Sequence, residues 1–343
     1  KELSCCNRLS GNICWGVASM LHHRVLIAGV GLHARQRGRA FVRLATIVAA
    51  VSPVRPALLN CSTSLGFVLA RQVWRGSTSI HATSKDATEC AEKCTNAVFL
   101  VRHGQSEWNL AAKQLDLWTL LTKVDHALTP EGVKQAKRLR SAVEAADVAG
   151  DMDARAFAAP TTQVFSSPLT RALSTALVTF STGRPITLLP DARELAWPLA
   201  GPDSVGAAMG NDIAERAFDA LAALDTRFQH ASLDRIAAAA AINASAAQEK
   251  WWPGFRESRE SMQQRLRRLL RSQLSQPCVL VCHSLLIRRL FMDFASPVFE
   301  SQQNDLLSQL RSRKLENCGV VRVQLDNQGR LASAKLVFGS RLT

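Results

Sequence analysis

The chain has 343 residues, 47% of them hydrophobic, enough for one large domain or two small ones around a packed core. Its formal charge of +14 is lopsided: residues 1–83 hold ten lysines and arginines against one acid, Glu2, while the remainder mixes both signs in near balance. The nine cysteines, at 5, 6, 14, 61, 90, 94, 278, 282 and 318, are odd in number and irregularly spaced, which argues against zinc or disulfide frameworks and for reduced thiols.

Residues 1–83 form a basic, acid-poor extension whose Arg, Ser and small apolar residues match organelle transit peptides in composition. A mitochondrial or plastid leader and an unstructured extension fit it equally; without a leader, a cytoplasmic location is expected. Its apolar runs, 25–30 and 40–51, fall short of the about 20 residues a spanning helix needs, and the second contains Arg43, so no membrane span is expected. Nucleic-acid binding is not expected either, because the basic stretch lacks interleaved aromatic residues and any recognition motif.

Over 84–343 the pattern changes at Ala97 to short apolar runs followed by amphipathic helices. That alternation predicts an α/β domain with a mostly parallel central sheet flanked by helices. Strands are expected at 97–101, 163–165, 186–189, 278–282 and 319–325, with a weaker one at 335–338. Thr129 caps and Pro130 opens a helix with Val133, Ala136, Leu139 and Val143 on one face. Ser167 and Pro168 are read as opening another, striped by Leu173, Ala176, Leu177 and Phe180. Segment 198–250 is read as an insertion or cap, with an Ala-rich helix through 236–247. A further helix is expected over 258–274, buried through Met262, Leu266, Leu269, Leu270 and Leu274.

The chemistry concentrates where expected strands end. After the first strand the chain reads Arg102-His103-Gly104-Gln105, and after 278–282 it reads His283-Ser284, with the serine placed to cap a helix. If the two strands are parallel, both imidazoles emerge on one sheet edge, where open α/β sheets bind ligands. Gly104 lets the backbone approach a phosphate, and an arginine offers a fork of donors to its oxygens. Arg171 falls in the first turn of a helix, where the macrodipole disfavours a cation and a bound anion would relieve the conflict. Glu194, after strand 186–189, is the best-placed acid to protonate a departing alkoxide; Arg193 beside it is read as its partner, a phosphate contact or half of a surface ion pair.

The blocks LVRHGQSEWN, SSPLTRALST, the RE of DARELAW, and VCHSLLIRRL resemble the four sequence blocks of the histidine phosphatase superfamily, with the phosphoglycerate mutase-like fold. The resemblance covers about 96–343, including 125–132, which is similar to the family's D-x-x-L-T-x-x-G block. It implies His103 as nucleophile, Arg102, Arg171 and His283 as the phosphoryl pocket, Glu194 as proton donor, and Gln105 and Asn109 as auxiliary contacts. It implies a phosphohistidine intermediate and neither metal nor cofactor, since arginines can neutralise the equatorial charge.

The stretches 110–129 and 192–206 depart from the corresponding mutase blocks, so the residues that grip a three-carbon phosphoacid are not visible. A phosphatase is therefore favoured over a phosphomutase, and an inactive phosphate-binding or signalling module is the reading of a different class. A small phosphorylated substrate is expected before a phosphoprotein. Arg256, Arg259, Arg265, Arg267 and Arg268 are read as a solvated helix face rather than a polyphosphate site. Substrate identity and oligomeric state are left open.

Overall fold

The computed structural model describes residues 97–343, apart from 181, 197–200, 231, 255 and 275–276. The basic extension 1–83, with its leader reading and Cys5, Cys6, Cys14 and Cys61, lies outside the described residues, as do Cys90 and Cys94. In chain order the strands are β1 Ala97–Arg102, β2 Gln163–Ser166, β3 Ile186–Leu188, β4 Ile242–Asn243, β5 Cys278–Cys282, β6 Val320–Leu325 and β7 Leu331–Val337. The helices are α1 Glu107–Gln114, α2 Leu117–Thr122, α3 Pro130–Val148, α4 Met152–Ala158, α5 Thr170–Thr179, α6 Asp212–Ala222, α7 Leu233–Ala240, α8 Arg259–Arg268, α9 Ser284–Asp293, α10 Pro297–Gln302 and α11 Asn304–Ser312.

The apolar runs of β1 and β5 form adjacent parallel strands at the middle of one sheet, ordered β4-β3-β2-β5-β1-β6-β7. The first five strands of that order are parallel, while β6 is antiparallel to both of its neighbours, β1 and β7. Both central strands are buried on both faces, which is why their sequences are continuously apolar rather than alternating. Phe99, Val101, Val279 and Val281 pack on one side with α3, α4, α5 and α6. Val98, Leu100 and Leu280 pack on the other with α8, α9, α10 and α11. The domain is thus a three-layer α/β sandwich, as the alternation predicts.

Several local expectations shift. The second helix begins at Thr170, not at Ser167-Pro168, and its N-cap residue Leu169 supplies no side-chain bond. The cap is remote instead: Asp125 accepts from Thr170 N at 2.7 Å and Thr170 Oγ1 at 2.8 Å. Ser284 is the first helical residue rather than the cap. The Ala-rich helix ends at Ala240; Ile242, β-branched, then pairs with Ile186 as part of an edge strand, and 245–247 form a 3-10 turn. The helix over 258–274 closes as a π-turn at Leu269–Gln273. Among the described residues, no helix is long and apolar enough to cross a membrane.

Candidate active site

The register of the parallel strands determines what meets at their C-terminal edge. Arg102 pairs with Cys282 and Ser166 with Val281, so His103, Ser167 and His283 leave three adjacent strands at nearly one level. The backbone ties them there: His103 N donates to Cys282 O at 3.0 Å, and Ser167 N to Val281 O at 3.0 Å. The 3-10 turn Pro190–Ala192 after β3 brings Glu194 to the same edge. The His103 and His283 rings lie 5.1 Å apart, centroid to centroid.

His103 is held in one tautomer. Its Nδ1 lies 2.7 Å from the Gly104 carbonyl, which can only accept, so Nδ1 carries the proton. Nε2 then presents a lone pair, and Arg171 Nε donates to it at 3.3 Å. Burial, then the charges of Arg171 and Arg102, hold the imidazole pKa well below its ordinary value, so the ring is neutral at physiological pH. Gly104 is required by close approach: a Cβ there would sit 2.6 Å from Gly132 O, and one on Gly132 would sit 2.2 Å from Gln105 O. Gly104 N donates to Thr175 Oγ1 at 3.0 Å, which secures the loop to α5.

Arg171 is fully buried in the first turn of α5. Besides His103, it reaches Asp203 twice: Nη2 donates to the Asp203 carbonyl at 3.0 Å, and Nη1 lies 3.1 Å from Asp203 Oδ1. The conflict between this cation and the helix dipole is thus met by resident carboxylates, Asp203 and the capping Asp125. Arg102 donates from Nη1 to Leu315 O at 2.7 Å, and burial lowers its pKa. His283 Nε2 lies 2.8 Å from Ser167 Oγ, and burial followed by the Arg171 charge keeps this ring neutral too.

Glu194 caps α9 from outside. Its Oε1 accepts from Leu286 N at 3.1 Å and from Leu195 N at 2.9 Å, and its Oε2 lies 3.5 Å from Leu285 N. Burial nevertheless raises its pKa above the ordinary carboxylate value, against those hydrogen bonds and the pull of Arg171. The acid sits beside the second histidine because the helix that follows His283 needs a partner for its first N–H groups.

The polar side chains around the loop also have partners of their own. Asn109 closes a capping box, its Oδ1 accepting from Ser106 N at 3.1 Å, and also accepts from Asn317 Nδ2 at 3.3 Å. Gln105 Oε1 accepts from Thr129 Oγ1 at 2.9 Å. Both side chains therefore brace the loop. Arg193 turns away from Glu194 into a buried ion pair with Glu257 at 2.6 Å, and burial lowers its pKa to about 10. Arg265 joins that pair at 2.7 Å and is buried, so only Arg256, Arg259, Arg267 and Arg268 of the arginine group are exposed.

The residues that sequence reading missed reach the edge from outside the four blocks. Asn317 Nδ2 donates to His103 O at 3.0 Å; it precedes β6, which is antiparallel to β1 and so starts where β1 ends. Asp203 comes from the turn Gly201–Ser204, and His126 Nδ1 lies 3.5 Å from its Oδ1. Among the described residues, no three His, Cys, Asp or Glu side chains form a metal-holding group. Cys278, Cys282 and Cys318 are free and buried, and burial pushes the Cys278 and Cys318 thiols to about 12.

Residues 98–201 match the family model described as histidine phosphatase superfamily (branch 1). No curated protein matches this chain in sequence. Among solved structures, TTHB049 from Thermus thermophilus is 23% identical, with 70% of this chain and 99% of that one covered at a TM-score of 0.36. Phosphoserine phosphatase from Entamoeba histolytica, in complex with 3-phosphoglyceric acid, is 20% identical over 72% and 96% of the two chains, with a TM-score of 0.35. Phosphoglycerate mutase from Bacillus anthracis str. Sterne is 18% identical over 72% and 95%, with a TM-score of 0.36.

Proposed function

We infer that this chain belongs to the histidine phosphatase superfamily, whose model matches residues 98–201, and that it is a phosphomonoesterase that works through a phosphohistidine on His103. The observation that carries this reading is the state of one atom. His103 Nε2 bears no proton, lies 3.3 Å from a buried guanidinium, and belongs to a ring kept neutral by burial and flanking charge. A neutral imidazole beside a fixed cation is a nucleophile poised against an anion.

In the first half-reaction, Nε2 attacks phosphorus in line and the P–O bond to the leaving group breaks. Arg102, Arg171 and His283 surround the transferred group, and the two guanidiniums offset its equatorial charge. Glu194 gives the departing alkoxide its proton; burial, by raising its pKa, favours the protonated form this step needs. In the second, water attacks phosphorus, the P–N bond breaks, and Glu194 takes up a proton from that water. The products are alcohol and inorganic phosphate. A small phosphorylated metabolite suits a site in which Arg171 and both histidines are almost wholly buried.

The test is turnover of p-nitrophenyl phosphate and a panel of sugar phosphates, phosphoacids and nucleotides by the full chain, each with and without 2,3-bisphosphoglycerate. Phosphate release that His103→Ala abolishes supports the reading. Transfer that depends on the bisphosphate points to a mutase, and no turnover across the panel to a binding module.

A further inference from the structure

The Arg171 guanidinium, the strongest candidate for gripping a phosphoryl group, already holds an anion. Its outer nitrogens face one residue, Asp203: the carboxylate lies 3.1 Å from Nη1, and the carbonyl accepts from Nη2 at 3.0 Å. Asp203 is itself buried, on the turn Gly201–Ser204, with His126 3.5 Å behind the same carboxylate oxygen. Resting on the phosphatase reading above, we propose that Asp203 is a resident counter-anion, which an incoming phosphoryl group must displace from Arg171 and which thereby sets the pocket's affinity for phosphate.

Two features distinguish a displaceable partner from a structural one. The first is alignment. Despite its short separation, the Asp203 Oδ1 contact with Arg171 Nη1 is not a well-formed hydrogen bond, and both atoms are buried without another among the described residues. Elsewhere in this chain a buried arginine pairs differently: Arg265 meets Glu257 through two bonds of 2.9 and 2.7 Å, the fork geometry that fixes a permanent pair.

The second feature is convergence. Arg102 Nε and His283 Nδ1, on the two neighbouring strand ends, are also buried without a hydrogen-bond partner among the described residues. A single carboxylate on Arg171 leaves these polar atoms unserved. A phosphoryl group, with three non-bridging oxygens, offers enough acceptors for the guanidiniums and His283 together. Electrostatics acts in the same direction, because a dianion entering beside an ionised Asp203 is repelled by it. Displacement has to move the carboxylate off Arg171.

Inorganic phosphate and orthovanadate, titrated calorimetrically into the full chain, test this directly, because binding does not require turnover. Asp203→Asn keeps the side-chain shape and removes the charge; Asp203→Ala removes the competitor altogether and serves if the amide disturbs the turn. Both should bind phosphate at least tenfold more tightly than the parent, and KM for p-nitrophenyl phosphate should fall more than kcat changes. Arg171→Ala should abolish the binding. If the parent binds phosphate and both Asp203 variants bind it equally or more weakly, Asp203 positions Arg171 instead, and this proposal fails while the phosphatase reading stands. If neither the parent nor the variants bind phosphate and none turns over substrate, the pocket itself has been misread and both fall.

Discussion

Replacing Arg171 with alanine asks the most of the proposed chemistry. Its Nε lies 3.3 Å from His103 Nε2, so a phosphorus atom at a near-attack distance of about 3–3.5 Å from that nitrogen puts its equatorial oxygens within reach of the same guanidinium. Two hydrogen bonds to a charged group, at about 1.5–3 kcal/mol each, amount to about 3–6 kcal/mol. At about 1.4 kcal/mol per factor of ten, kcat/KM should fall by about 10²–10⁴. Arg171→Lys keeps the charge but loses the fork, and should fall between the two. The assay is steady-state hydrolysis of p-nitrophenyl phosphate, with acid-quenched trapping of the phosphoenzyme to separate its formation from its breakdown. Because Arg171 is fully buried against Asp203, thermal melting must show each variant folded before its rate is read. A folded Arg171→Ala enzyme within fivefold of the parent would refute the argument, since no group with that little effect can be carrying the transferred charge.

Glu194→Gln should slow alkyl phosphates by about 10²–10⁴ but p-nitrophenyl phosphate much less, because nitrophenolate leaves without a proton; equal losses on both would rule out its acid role. With the parent enzyme and alkyl substrates, turnover should decline as pH rises through the raised Glu194 pKa, a limb that Glu194→Gln should lack. Gly132→Ala forces a Cβ to within 2.2 Å of the Gln105 carbonyl, displacing the loop that carries His103. Overpacking of this kind costs about 1–3 kcal/mol, so Tm should drop by several degrees and activity with it, whereas an unchanged Tm would mean the loop yields freely. His103 and His283 are held neutral in the fold but bind protons when unfolded below about pH 6.5. The unfolded state then binds more protons, so stability should fall with pH below that value by up to about 1.4 kcal/mol per pH unit for each histidine. Urea melts of His283→Asn should show a shallower slope than the parent, and an identical slope would contradict the burial argument.

What the sequence made legible was whatever depends on strands. The runs 97–101 and 278–282 are buried on both faces, and their parallel pairing delivers His103 and His283 to one edge because each stands one residue past its strand, with Arg102 closing β1 beside them. Strand ends are local, and a period of two leaves no choice of level once register is set. The Thr129 cap stands as read, but two other helix starts were misread for the opposite reason. Ser167 and Ser284 look like caps, yet the N–H groups at the starts of α5 and α9 are served by Asp125 and Glu194, far away in the chain. Ser167 Oγ accepts from Leu169 N at 3.3 Å, ahead of the helix, and also meets His283 Nε2 at 2.8 Å, a contact no local pattern records. Ile242 was missed because a two-residue edge strand inside an alanine run has no period to detect.

The same remote carboxylates explain how so much positive charge is tolerated in a buried place. Two guanidiniums and the N-termini of α5 and α9 converge on the strand ends, and without anions nearby their desolvation would be hard to sustain. Asp125 is bound most tightly, accepting from Thr170 N, Thr170 Oγ1 and Arg216 Nε, and its backbone takes the left-handed conformation with φ of 48° to do so. Glu194 is intermediate: backbone N–H groups hold it, but burial biases it toward the proton it is proposed to donate. Asp203 has the least alignment and the most direct hold on Arg171. On the proposed reading the three acids form a gradient from anchor through proton donor to displaceable ion, and a charged substrate enters by replacing the member whose own bonds are poorest.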